Sequence, residues 1–370
     1  MKKTNSLLER EGFIEFGSSI IAIIMGLLFG FIILLVSNPS QAFGGFAMII
    51  QGGFTDGAAG WGQVIYFATP IIMTGLSVGF AFKTGLFNIG AAGQFTVGAF
   101  AAVYVGVKWT GLGGAQWIVA CLMAMIAGAI WGMVPGLLKA YLNVNEVISS
   151  IMMNYIGMSL VNLLIKKSIH DTLRNQTLPV AETANLPKGG MDKIFVGSDV
   201  NVGIFIVIFF VIVAHIILSR TCFGFELKAC GLNKDASRYA GISAKRNIVY
   251  SMMISGAFAG IGGALLYLSG SGKFMQLVDI ISPEGFTGIS VALLGLSNPI
   301  GIFFAGIFIA YIMVGGLNMQ LFDFSPEVID IIIAVIIYCG ALSLLFRNFI
   351  NRREMKKLAK AEKIEKKEAE

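Results

Sequence analysis

The sequence predicts an all-α, polytopic integral membrane protein of about ten transmembrane helices, one of them short or broken, and three observations carry that prediction. Of 370 residues, 56% are hydrophobic and only 13% charged, and the mean hydropathy is +0.80. That is too apolar for the surface of an ordinary soluble domain. The apolar residues gather into runs close to the roughly 20 needed to cross a bilayer. Lys and Arg, by contrast, collect at the two ends and in particular loops, as orientation by positive charge requires.

Spans are expected near residues 18–36, 63–82, 86–107, 116–138, 147–165, 201–219, 248–270, 286–297, 300–317 and 328–346. Segment 1–17 is then a cytoplasmic N-terminus, 18–346 the transmembrane domain and 347–370 a charged cytoplasmic tail. The first span has no small-x-small cleavage site behind it and is expected to stay uncleaved. With an even count and the N-terminus inside, 20 of the 27 Lys and Arg lie on the cytoplasmic side: three N-terminal, Lys83, Lys139, six in the loop 220–247 and nine from Arg347 onward. The opposite orientation leaves seven inside and is rejected. The net charge of +6 therefore reports orientation and contact with anionic lipid, and no nucleic-acid partner is implied.

Between the spans, Phe43–Ile50 is able to form a short interfacial helix. The loop 166–200, with Pro179, Pro187, Gly189 and Gly190, reads as an irregular lid, either a docking place for a substrate-binding protein or a plain surface loop. Glycines four apart (Gly75 and Gly79; Gly128, Gly132 and Gly136; Gly256 and Gly260) point to helices packed closely in lipid. Residues 63–107 and 248–297 echo each other. If the halves are related, they are inverted repeats with a pathway at their interface.

Enzyme classes find no support. There is no HExxH. The four cysteines, Cys121, Cys222, Cys230 and Cys339, are scattered without a CxxC, so neither a disulfide framework nor a metal site is expected. Gly270-Ser-Gly-Lys273 has Tyr267 and Phe274 where a phosphate-binding loop needs Gly and Ser/Thr. No cofactor is expected on this chain, and if ATP drives it, another chain must bind and hydrolyse the Mg-nucleotide.

The loop 220–247 reads as a small folded unit. Asn233 suits an N-cap, Asp235 the first turn, Arg238 the last turn and Gly241 the left-handed position after the helix. Ala236, Tyr239 and Ala240 share one face by their spacing. A solvated, capped turn is the alternative. Gly231-Leu-Asn-Lys-Asp-Ala-Ser-Arg-Tyr-Ala-Gly241-Ile242 resembles the cytoplasmic loop of ABC-importer permeases of the branched-chain amino acid, ribose and nucleoside family. The resemblance implies that this loop packs into a groove on the ATPase subunit, and it assigns coupling to Glu226, Gly231, Asp235, Ala236, Arg238, Tyr239, Ala240 and Gly241.

Three further stretches carry the same resemblance. Lys83-Thr-Gly-Leu-Phe-Asn-Ile-Gly-Ala-Ala-Gly-Gln94 puts amides and glycines at membrane depth, which is tolerated only inside protein or against a water-filled cavity. It is similar to a Gly-Leu-x-Asn-Ile-Gly-x-x-Gly-Gln motif of the family, with Ala92 where Glu is often found. Asn143-Val-Asn-Glu-Val-Ile-Ser-Ser-Ile-Met-Met-Asn-Tyr155 resembles a segment of nucleoside-type permeases, although Glu146 also fits a plain helix N-terminal acid. Gly285–Pro299 fits a broken or re-entrant helix. Asn88, Gln94, Asn145, Glu146, Asn154, Phe87, Phe95 and Tyr155 are the candidate pathway, since amides and aromatic faces suit a base and sugar. Implied partners are an ABC ATPase, a second related permease in a heterodimer, a substrate-binding lipoprotein of the basic-membrane-protein type and the bilayer of the bacterial cell membrane. The competing reading is an ion-coupled secondary transporter of a small polar solute. His215 in mid-span suits it, but no acid stands at a matching depth.

Overall fold

The computed structural model describes residues 21 and 23–341. The expected N-terminal segment 1–17, the start of the first span and the tail 347–370 lie outside the described residues. The chain divides into two compact units, one formed by residues up to Ala47 with those from Met319 onward, the other by Met48–Asn318.

In the first unit, α1 (Ile23–Ser37) and the beginning of α2 (Ala42–Gln51) meet a 3-10 turn, Met319–Phe322, and α14 (Pro326–Ala341). Small residues admit large ones here: Gly44 lies against the Phe322 ring and Gly45 against Phe324. Phe31 packs its ring on Phe43 and Phe46. The short helix expected at Phe43–Ile50 is α2.

The second unit is built on α3 (Gly57–Lys83), α4 (Ala91–Lys108), α5 (Gln116–Leu142), α6 (Glu146–Ser168), α8 (Gly203–Arg220), α11 (Ala244–Tyr267), α12 (Pro283–Leu294) and α13 (Pro299–Asn318). The most apolar stretch of α3 is 89% buried and that of α11 is 78% buried, against 22% for α5, so α3 and α11 are the axis and α5, α6 and α8 turn apolar faces outward. The glycine ladders explain how such helices touch. A Cβ on Gly256 would stand 2.2 Å from the Gly128 carbonyl oxygen, and one on Gly98 2.3 Å from the Gly260 Cα. Backbone contact replaces the hydrophobic drive that lipid does not supply. Pro70 interrupts the α3 ladder because it has no N–H, and the Thr69 hydroxyl donates to the Tyr66 carbonyl at 2.8 Å instead.

Six helices among the described residues are long and apolar enough to span a membrane: Gly57–Lys83, Thr110–Leu142, Glu146–Ser168, Gly203–Arg220, Ala244–Tyr267 and Pro299–Phe322. This is an all-helical, multi-pass membrane protein. The expected count of ten is not reached on this criterion among the described residues: α4 carries Gln94 and Lys108 among small residues and α12 has 12 residues, whereas the expected spans 18–36 and 328–346 lie partly outside the described residues, which include 15 residues of α1 and 16 of α14. Two boundaries also move. The span expected from residue 86 begins at Ala91, since Thr84–Gly90 is irregular, and α3 reaches back to Gly57. The short helix expected at 286–297 is α12, which ends in a bend where Leu296 and Ser297 both take φ of 53° and Pro299 starts α13.

The lid expected at 166–200 is mostly irregular. It contains a two-stranded antiparallel ribbon, β1 (His170–Asp171) on β2 (Gln176–Thr177), and a single turn α7 (Met191–Ile194). Between α8 and α11 stand α9 (Cys222–Leu232) and α10 (Lys234–Tyr239). The capped turn of the loop is therefore preceded by a second helix that the sequence did not announce.

Candidate functional site

The irregular link between α3 and α4 drops the Asn88 amide into the centre of the second unit, where it is fully buried. Its Nδ2 donates to Gln94 Oε1 at 2.8 Å and to Ser255 Oγ at 2.6 Å. Gln94 Nε2 returns a bond to Asn88 Oδ1 at 3.2 Å. Ser255 Oγ donates to the Ser77 carbonyl at 2.7 Å, and the two serine hydroxyls stand 3.0 Å apart. A second pair, Thr84 and Ser251, meets at 2.5 Å one turn closer to the loop end. These residues join α3, α4 and α11 through neutral, mutually satisfied groups, which is the condition for polar atoms to persist at membrane depth.

Asn154 joins α6 to the same place. Its Oδ1 accepts from Gly93 N at 2.8 Å and its Nδ2 donates to the Ile89 carbonyl at 3.1 Å. The α4 helix has no side-chain cap of its own, so a residue from another helix satisfies one of its free N–H groups. Ala92 is fully buried against Gly285.

The other pathway candidates fall elsewhere. Asn145 caps α6 by accepting from Val147 N at 2.9 Å, and Glu146 pairs with Lys139 at 2.8 Å. Both sit at the α5–α6 turn, so the plain helix-start reading of Glu146 has a partner. Phe87 stacks on Phe82, ring centroids 5.0 Å apart. Phe95 is buried and lines a cavity of about 610 Å³. Tyr155 is 53% exposed and takes no part in the polar cluster. Ser77, Thr84, Ser251 and Ser255 belong to the cluster and were not anticipated. Hydroxyls in apolar helices usually satisfy themselves on the preceding turn, and only the depth of Asn88 could have drawn notice to them.

The loop candidates form one ordered unit. Asn233 Oδ1 accepts from Asp235 N at 3.0 Å and from Ala236 N at 2.9 Å, and Gly241 takes φ of 80° with no atom within 4 Å of where a Cβ would stand. Ala236, Tyr239 and Ala240 are exposed together, Tyr239 at 94%. Asp235 and Arg238 lie on the first and last turns of this exposed helix. Glu226 on α9 ties the unit to α11, since its Oε2 accepts from Arg246 at 3.3 Å and from Asn247 at 3.1 Å. Gly231 abuts Gly85: a Cβ on Gly85, which takes φ of 73°, would stand 2.7 Å from the Gly231 Cα. The exposed helix is thus joined, through two glycines, to the segment that carries Asn88.

Comparison with known proteins identifies the family. The guanosine ABC transporter permease protein NupP of Bacillus subtilis is 39% identical over 91% of this chain and 96% of its own length. The nucleoside ABC transporter permease protein NupB of Lactococcus lactis is 33% identical over 93% of this chain and 95% of its own. The glucose ABC transporter permease protein TsgB13 of Haloferax volcanii is 29% identical over 91% of this chain and 90% of its own. No solved structure matches. The family described as branched-chain amino acid transport system, permease component, matches residues 60–341, and the chain belongs to that family of permease components.

Proposed function

We propose that this chain is a membrane permease subunit of an ATP-driven ABC importer of nucleosides, paired with a second, related permease in the bacterial cell membrane. An ATPase would dock on α10 and a substrate-binding lipoprotein would deliver cargo from outside. The observation that carries the reading is an ordered helix with an apolar face left bare, joined by the Gly231–Gly85 contact to the buried amides. A helix of six residues is marginal in water, so a bare apolar face on it is best accounted for by a partner. Nucleoside as cargo is supported by the relatives whose names carry it and by the amide-rich centre. Asn88, Gln94 and Asn154 are the groups on which a path reading rests most. The hydrogen bonds of Asn88 and Gln94 close on each other and on Ser255, and those of Asn154 on the backbone of Ile89 and Gly93, so passage of a polar solute would exchange them for bonds to the cargo. Asn145, Glu146, Phe87, Phe95 and Tyr155 complete the proposed lining at its margins.

The topology proposed is ten crossings with both termini in the cytoplasm, α12 and α13 making a short descent and return. Leu173 (94% exposed) and Leu232 (89% exposed) lie on opposite sides in that scheme. A cysteine at 173 should be labelled from outside intact cells and one at 232 protected, and the reverse pattern would sink the orientation. The function itself is tested by reconstituting the chain with its co-purifying subunits in proteoliposomes. Guanosine uptake that needs ATP and a partner ATPase is expected. Uptake by this chain alone, driven by an ion gradient, would select the secondary-transporter reading.

A further inference from the structure

The cavity of about 610 Å³ shares only Phe95 with the proposed path. It lies beneath the strap 268–282 that follows α11, and that strap is fastened on two sides. Thr177 N donates to the Met275 carbonyl at 2.9 Å, and Leu277 N to the Asn175 carbonyl at 3.0 Å. Asn162 Nδ2, on α6, donates to the Val278 carbonyl at 3.1 Å. Tyr66 Oη meets Ser271 Oγ at 2.9 Å. The wall is therefore held before any ligand arrives, as preformed small-molecule sites are.

The lining holds one cation and one carboxylate. Lys273 Nζ stands 5.9 Å from the Tyr66 ring centroid and 5.4 Å from that of Phe67, and it forms no ion pair among the described residues. Glu284 accepts from the Ser282 hydroxyl through Oε2, and Oε1 takes no hydrogen bond among the described residues. Tyr267 and Phe274 add aromatic rings to the lining, and the Gln276 amide adds a donor and an acceptor. One charge of each sign excludes neither partner of an uncharged ligand. The volume falls in the range of sites for drug-sized ligands, and the rings invite a planar heterocycle.

We infer that this cavity is a cargo site contained within a single permease subunit, one that takes a purine nucleoside with the base against Tyr267 and Phe274. Glu284 accepts from the vicinal ribose hydroxyls, the contact a carboxylate makes with ribose elsewhere, and Lys273 donates to an acceptor on the base. The inference rests on the nucleoside reading above and adds that the permease itself discriminates its cargo.

The test uses the complete complex in lipid nanodiscs, free of nucleotide and of the binding lipoprotein, with tritiated guanosine as probe. Saturable binding is expected. 2′,3′-Dideoxyguanosine should compete at least about tenfold more weakly, and Glu284→Gln should weaken guanosine binding about tenfold, the size of one lost charge-assisted bond. Lys273→Gln should weaken it several-fold. The analogue arm uses the unaltered protein and so stands even if a variant folds poorly. Equal binding of the two nucleosides, unchanged binding in Glu284→Gln, displacement by leucine in place of nucleosides, or no binding at all by a complex that imports guanosine would each overturn the cavity as a cargo site. A complete system that imports no nucleoside would remove the parent reading and this one together.

Discussion

The centre of the bundle and the loop helix α10 treat their polar and apolar groups in opposite ways. At the centre, Asn88, Gln94, Ser77 and Ser255 are 0–1% exposed and bonded to one another, and glycine backbones seal the surrounding contacts. On α10 the backbone is fully capped, but Tyr239 is 94% exposed. The first region is complete within this chain, whereas the second, on the reading proposed above, is completed by another. Substitutions should therefore damage the first through folding and transport, and the second through association alone.

Paired glycine substitutions offer the widest separation. Gly256→Val places side-chain atoms on the Gly128 carbonyl and should cost about 3 kcal/mol or more through overpacking, seen as a collapse in the yield of monodisperse protein. A normal yield would mean that the α5–α11 contact is looser than described. Next in size is Asn88→Ala, which leaves Gln94 and Ser255 short of a partner at about 1–3 kcal/mol. Guanosine uptake should fall at least tenfold and the melting temperature should drop; Asn154→Ala should act in the same direction through the start of α4. Uptake equal to wild type in both would detach the amides from the path.

Tyr239→Ala should leave melting unchanged but weaken co-purification of the ATPase by about 2 kcal/mol, roughly 30-fold, as buried interface aromatics do. Unaltered co-purification and unaltered stimulated turnover would reduce α10 to a connector. Gly241→Val should be milder in binding, since nothing crowds that position and only the strain of positive φ, about 1–2 kcal/mol, disturbs the helix end. Its yield should match wild type, in contrast to Gly256→Val, while ATPase stimulation by cargo falls. Lys234→Ala should change co-purification by less than about 0.5 kcal/mol; a larger effect would mean that charge, and not the apolar face, governs docking.

The spans, the broken α12 and the cap of α10 were legible because each rests on local chemistry: apolar runs, an Asn-Pro stop, and an Asn with a Gly eight residues on. Cys222–Leu232 escaped notice because its Gly, Lys and Cys residues follow no clear helical stripe, and its helix is supported by Glu226 reaching α11. The start of α4 lies five residues later than expected, since Gly85, Asn88 and Gly90, read as possible lining groups, also keep Thr84–Gly90 out of the helix. Asn88 and Gln94 stood out as amides in apolar surroundings. Ser77 and Ser255 did not, because their roles come from residues more than 150 positions away. Tyr155 next to Asn154 illustrates a different limit. Adjacent helical residues point about 100° apart, so one cluster could not take both.

The contact between Gly231 and Gly85 involves no side chain on either residue. A side chain between two moving parts absorbs displacement by changing rotamer, in the manner of a spring in series, and the far part then moves less than the near one. Two backbones in direct contact have no such compliance. If a partner docks on α10 as proposed, a push of a few tenths of an ångström delivered to α9 would reach the Thr84–Asn88 segment almost undiminished, and a side chain at either glycine would be expected to soften it.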